Sequence, residues 1–270
     1  MSNCKSIALL VCDTPITSVS TEHGDYHVMF TQLLHASGKE LGIADIADKC
    51  CLNPFDVVHK MEYPTDHQLD AYDGLLITGS KASAYEDVEW INKLVAFVAR
   101  VAITKPHVKI VGICFGHQIV ARALGGRCVR NDGKWEVGPT QVTLTDLGKE
   151  VFGVESLYIQ EMHQDHVPEV PPTFRLLGST DVAPNQGMVR FRSASPHASP
   201  TRLSDVHIVT VQGHPEFNEP IVSKIVAARA QAGILSAATA ADATRRAGGQ
   251  NDGIGVIGKA ILRIYGVAGA

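Results

Sequence analysis

A cysteine inside Gly112-Ile113-Cys114-Phe115-Gly116, and a histidine with a carboxylate two positions on, His214-Pro215-Glu216, are the residues whose types and spacing suit covalent chemistry. A thiol acts as a nucleophile when a neighbouring base shares its proton, and that base works best when a third group fixes its orientation. Small residues on either side of Cys114 admit the strained turn that lifts a nucleophile above a sheet edge, as G-x-S-x-G does for serine. A helix starting at that turn offers free N–H groups and a positive dipole end, which favour a thiolate and later an oxyanion. His214 ends a β-branched run, Pro215 stops further strand pairing, and Glu216 falls on the same side of an extended chain. A lone histidine at a strand end is more often structural. The nearby carboxylate and the separate cysteine turn favour the catalytic reading here.

Elements must position these residues. The run 108–113 reads as the strand that delivers Cys114, and 119–124 as the helix after it, ended by Gly125-Gly126. Upstream, 6–12, 55–61 and 74–78 read as strands, while 24–36 and 86–104 carry apolar residues at helical spacing. This alternation predicts an open, mostly parallel, doubly wound α/β sheet with helices on both faces and ligands beyond the carboxyl ends of its strands. Past Gly126, segments 127–130 and 135–145 flank Asn131-Asp132-Gly133, a strong hairpin signal, so a small antiparallel annex is expected. Short strands follow over 156–162, 175–179, 187–191 and 207–212, separated by Pro-rich loops at 168–172 and 195–200. A helix over 220–233 has Pro in its first turn and Gly at its end. Residues 1–235 are read as one catalytic domain and 236–270 as a helical extension packed on it, with Ile254, Ile257, Ile261 and Ile264 on one face. Within that extension 253–258 spells G-x-G-x-x-G, but no strand precedes it and no βαβ unit can follow, so a dinucleotide site is discounted.

The 24 Lys and Arg against 28 Asp and Glu give a formal charge of -4 with no basic stripe, which argues against nucleic acid or membrane partners. The apolar run 7–12 is too short for a signal-peptide core, and no later run suits a bilayer span, so a cytoplasmic location is expected. The six cysteines show no C-x-x-C spacing, and vicinal Cys50-Cys51 is poor disulfide material, which fits reduced thiols. No cofactor is called for, and no third ligand is spaced to complete a metal site with His163, Asp165 and His166.

Taken together, the segments 112–118 and 212–216 resemble the two signature segments of class I glutamine amidotransferases, a resemblance that spans roughly residues 5–235. It implies a Cys114, His214, Glu216 triad on a flavodoxin-like fold and amide cleavage through a thioester. It further implies an oxyanion hole from the N–H of Phe115 and that of Gly79 or Ser80. Gln118, His163 and Asp165 match positions that in the family hold the amino and carboxylate groups of glutamine, with Asp165 the partner for an ammonium. Length and the Q-G-H-P-E form are most similar to free-standing fungal amidotransferase-like proteins and plant γ-glutamyl peptidases. The expected function is therefore hydrolysis of glutamine or a γ-glutamyl-type amide as the small-molecule substrate. Two alternatives stand beside it: a glutaminase subunit that feeds ammonia to a synthetase or acceptor enzyme, and a non-catalytic binding scaffold. The chain has Gly79-Ser80-Lys81 where many members have Gly-Gly-Pro, and Gly213 where they place an aromatic residue, departures that predict a wider pocket. An α/β-hydrolase or a flavodoxin-like thiol peptidase accounts less well for a carboxylate two residues after the histidine.

Overall fold

Apolar residues that alternate in facing build the centre of the molecule, whose computed structural model describes residues 4–192 and 202–268. The loop expected over 195–200 lies outside the described residues. In β1 (Lys5–Val11), Ile7 and Leu9 join one buried cluster and Ala8 and Leu10 another, so both faces of the strand are covered. Leucine and isoleucine side chains buried this completely contribute roughly 1.5–3 kcal/mol each. The chain continues through α1 (Thr17–His23), α2 (Tyr26–Glu40), β2 (Cys50–Asp56), α3 (Asp66–Leu69), β3 (Gly74–Ile77), α4 (Glu89–Thr104), β4 (Lys109–Ile113) and α5 (Phe115–Ala123). Then follow β5 (Val129–Arg130), β6 (Glu136–Leu144), α6 (Asp146–Phe152), β7 (Leu157–His163), β8 (Asp165–His166), β9 (Arg175–Ser179), β10 (Gly187–Phe191) and β11 (Val206–Val211). The last helices are α7 (Glu219–Gln231), α8 (Ala237–Arg246) and α9 (Lys259–Tyr265).

The main sheet has the order β2-β1-β3-β4-β11-β10-β9-β6-β7. Its first five strands are parallel, as expected for a doubly wound fold, and its last four are antiparallel. A separate two-stranded antiparallel sheet joins β5 to β8. Residues from α2 and α9 line one buried cluster and those from α4 and α5 the other, so helices cover both faces. Among the described residues no helix is long and apolar enough to cross a membrane.

Three expectations are corrected. The second strand is Cys50–Asp56 rather than 55–61, because the Asp56 carboxylate accepts the Val58 and His59 N–H groups and turns the chain. Pro54 is tolerated there since β2 is an edge strand. The Asn131-Asp132-Gly133 turn forms, with φ 46° and 79° at its two central residues, but its flanking strands do not pair with each other. Asn131 instead donates its N–H to Gln164 and its amide to Val182, which draws β5 away from β6. In the C-terminal segment Ile257, Ile261 and Ile264 are buried as expected, whereas Ile254 is 41% exposed. The turn Gly253–Gly258 is π-helical, with Ile257 N–H donating to the Asp252 carbonyl, and its wider winding rotates Ile254 off the stripe.

That segment is tied to the body by several long-range bonds. Tyr265 donates its hydroxyl to the Leu75 carbonyl at 2.7 Å, and Arg246 donates to the carbonyls of Val137 and Pro139. A helix not anticipated from the sequence, α1, precedes α2 and lies near α7 at the rim of the cavity described next.

Candidate active site

The carboxyl ends of β1, β3, β4 and β11 meet at one place, and each contributes a residue there. After β4 the chain turns at Cys114, whose φ of 52° and ψ of -103° place a non-glycine residue in strained backbone. Such a residue costs about 1–3 kcal/mol, so the surroundings must hold it. They do: its N–H donates to the Val211 carbonyl at 2.9 Å, and its own carbonyl accepts from Gln118 at 3.1 Å. Any side chain at Gly116 would fall 2.5 Å from the Ile77 carbonyl, so the turn depends on glycine beside the cysteine.

Beyond β11, His214 is 4% exposed and Glu216 is 7% exposed. Its Nδ1 lies 2.8 Å from Glu216 Oε1, and the Phe217 ring stacks flat on the imidazole, with centroids 4.1 Å apart and planes 2° apart. Burial alone would lower the His214 pKa; the Cys114 thiol and the Glu216 carboxylate outweigh it and push the value up to about 10. Imidazole, thiol and carboxylate thus meet at one place. Gln212 Nε2 completes the surround of the sulfur at 3.5 Å.

After β3, Gly79 lies against the imidazole edge, where a Cβ would come 2.7 Å from His214 Cε1. Asp13, just past β1, accepts the Lys81 N–H at 2.7 Å and its ammonium at 2.8 Å, which fixes the loop 79–81. Among the described residues nothing accepts the N–H of Gly79, Ser80 or Phe115, so these donors are free for a ligand.

Cys114 and His214 open into a cavity of about 600 Å³ that Ser80, Lys81, Gln118, His163 and Asp165 also line. Gln118 donates its amide to the Asp165 carbonyl at 3.0 Å and to Gln212 at 3.2 Å, so it braces the wall. The Asp165 side chain makes no ion pair among the described residues, while its carbonyl also meets His163 Nδ1 at 2.9 Å. The sequence reading of Gly213 is corrected: a side chain there would meet Glu161 Oε1 at 2.6 Å and Ile159 at 2.7 Å, so it faces β7 and does not widen the cavity.

Three features escaped the sequence reading. Arg229 of α7 lies over the Trp135 ring at 5.1 Å and lines the cavity without a carboxylate partner among the described residues. Nothing distinguishes it in sequence from any arginine on a helix. Asp13 gives no signal either, because its partner Lys81 is remote in sequence. In the wall itself sits a second buried cluster, with His163 Nε2 at 3.0 Å from Glu136 and 3.3 Å from Glu161. Burial opposes charge on His163, yet the two glutamates raise its pKa well above the usual value. Strand register creates this cluster, since Glu136 on β6 faces His163 on β7.

Comparison with known proteins places the chain among relatives. The family model described as glutamine amidotransferase class-I matches residues 24–221. A glutamine amidotransferase-like protein of Schizosaccharomyces pombe is 38% identical over 224 residues, 82% of each chain. γ-Glutamyl peptidase 5 of Arabidopsis thaliana is 31% identical over 228 residues, covering 82% of this chain and 80% of the relative. The crystal structure of a glutamine amidotransferase from Thermotoga maritima superposes with a TM-score of 0.66 at 16% identity, covering 98% of this chain and 99% of the other, which bears on the fold alone.

Proposed function

The chain belongs to the class I glutamine amidotransferase family, and from that premise we propose that it is a cysteine-dependent hydrolase of glutamine or a γ-glutamyl-type amide. The observation that carries the reading is a strained, glycine-flanked cysteine sharing one cavity with a histidine that is itself bonded to a buried glutamate at 2.8 Å. Cys114 is the nucleophile, His214 the acid and base, and Glu216 the group that fixes the imidazole. The thiolate attacks the amide carbonyl carbon, and the oxyanion is held by the N–H of Phe115 and that of Gly79 or Ser80. His214, protonated at the start, gives its proton to the departing amine as the C–N bond breaks and a thioester remains. Water then attacks the thioester, His214 takes its proton, and glutamate leaves with the thiol restored.

That Gln118, His163 and Asp165 line the cavity supports assigning them to the γ-glutamyl unit, and Asp165 has the charge an ammonium needs. Arg229, beside Trp135 and without a carboxylate partner among the described residues, favours a substrate that carries a further carboxylate. That supports γ-glutamyl conjugates over glutamine alone. The reading takes 1–235 as the catalytic domain and 236–270 as its extension, and a cytoplasmic location fits six free thiols. The test is to incubate the purified protein with glutamine and with γ-glutamyl di- and tripeptides, beside Cys114→Ala, and follow ammonia, glutamate and free amine. Amine release by the wild type and none by Cys114→Ala is expected. Full hydrolysis by Cys114→Ala would overturn the assignment. Ammonia from glutamine alone, rising when an acceptor enzyme is added, would favour the subunit reading.

A further inference from the structure

The C-terminal segment lies beyond the matched family region, which ends at residue 221. Yet it reaches the back of the loop that carries His214 and Glu216. Asn251 donates its side-chain amide to the Phe217 carbonyl at 2.9 Å, while its side-chain oxygen accepts the Gly253 N–H at 3.1 Å. Gly253 is packed so tightly on the loop that a Cβ would fall 2.3 Å from the Pro215 carbonyl oxygen. Between them Asp252 meets the Tyr158 backbone twice at 2.7 Å, its carboxylate accepting the Tyr158 N–H and its own N–H donating to the Tyr158 carbonyl. Tyr158 belongs to β7, the strand whose Gln160 carbonyl accepts the His214 N–H at 2.8 Å. Both ends of the loop 214–217 are therefore referred to one strand, directly at His214 and through Asn251 and Asp252 at Phe217. Phe217 in turn presses its ring on the imidazole.

We propose that Asn251 and Gly253 are positioning residues for the His214 and Glu216 pair, acting through the Phe217 carbonyl and the Pro215 backbone. This rests on the reading of Cys114 and His214 as the reacting pair. The amide of Asn251 holds Phe217 at the depth where its ring lies flat on His214. Gly253 lets the extension close against Pro215, which keeps the strand-to-helix passage from rising into the cavity. Neither residue touches substrate, so substrate binding stays intact when they change. Misplacement of a reacting group by about 1 Å can cost on the order of 100-fold in rate.

The decisive variant is Asn251→Asp. It retains an oxygen for the Gly253 N–H and loses the N–H that the Phe217 carbonyl requires. The experiment compares wild type, Asn251→Asp, Gly253→Ala, His214→Ala and Arg245→Ala, the last altering an exposed ion pair of the same extension. Two rates are measured, each normalised to the folded fraction from circular dichroism: hydrolysis of a γ-glutamyl dipeptide, and alkylation of Cys114 by iodoacetamide at neutral pH, located by peptide mass. Asn251→Asp and Gly253→Ala are expected to lose about tenfold or more in kcat with KM within about twofold, and to alkylate at rates between wild type and His214→Ala. Arg245→Ala is expected to match wild type. Wild-type kcat and alkylation in Asn251→Asp, with a clear gap between wild type and His214→Ala, would overturn the proposal alone. Equal alkylation of wild type and His214→Ala would remove its premise and the proposal with it.

Discussion

Two buried histidines, each paired with glutamate, lie close together in this molecule and have opposite surroundings. His214 has one carboxylate, on Nδ1, and turns its other edge to the loop at Gly79 and to the Cys114 side of the cavity. His163 spends Nδ1 on the Asp165 carbonyl and crowds Nε2 against both Glu136 and Glu161. A carbonyl only accepts, so His163 Nδ1 carries a proton, and two carboxylates at Nε2 call for a second. The ring that keeps one edge unspent can pass a proton to a substrate. The ring that has spent both is a post that ties β6 to β7. Partner count, more than residue type or burial, separates the histidine proposed as acid and base from the one that ties two strands.

Removing each imidazole should therefore break different things. His214→Ala is expected to lower kcat by about 10⁴-fold, and to lower the urea midpoint less than His163→Ala does, because it leaves one buried carboxylate rather than two without a partner. His163→Ala should leave two buried glutamates without their cation and cost roughly 3–5 kcal/mol, read by urea denaturation. Its remaining folded fraction should still alkylate at Cys114. Comparable activity losses at equal stability would erase the distinction between the two clusters.

The two rings also titrate in ways that can be separated. A histidine whose pKa is higher folded than unfolded binds its proton more tightly in the fold. Its stabilising contribution is complete below the unfolded value of about 6.5 and is lost as pH rises through the folded value. For His214 that window ends at about 10, and His163 adds a loss of the same sign. His117, pushed down to about 3 chiefly by burial, and His207, pushed down to about 4 for the same first reason, act oppositely. Their contributions fade as pH falls from about 6.5 toward those values. The urea midpoint should peak near neutrality and decline toward pH 10. In Cys114→Ala the His214 titration, followed by NMR, should move below 10, since the thiol is a leading cause of its rise, while His163 stays where it was.

Much of the proposed catalytic cluster was legible because its information is local. The run into Cys114, the glycines around it and the His214-Pro215-Glu216 spacing each describe a strand ending in a turn, and parallel neighbours bring such ends together. The second cluster was not legible, because it exists only through antiparallel register. Glu136 sits across from His163, and Glu161 shares a face with His163 two residues away on the same strand. In sequence a glutamate in a short strand looks like a solvent-facing residue, whereas Glu161 is completely buried. The Asn131-Asp132-Gly133 turn shows the same limit: local chemistry set its φ values, and distant acceptors at Gln164 and Val182 decided where its strands went. Asn251 and Arg229 belong to that class too, since their partners are fixed by packing alone.

Gly213 joins the two clusters and gives the smallest and sharpest test. It precedes His214 in the chain, yet its missing side chain points at Glu161 Oε1, 2.6 Å from where a Cβ would stand. Gly213→Ala should therefore cost about 1–3 kcal/mol through overpacking against Glu161 and Ile159 and leave KM nearly unchanged. Part of that cost should vanish in the background of Ile159→Val, which trims one side of the clash, and the two substitutions should be non-additive in a double-mutant cycle. A raised KM with unaltered stability would mean that residue 213 bounds the cavity after all. Additive effects would mean that the contact with β7 is not what requires glycine before His214.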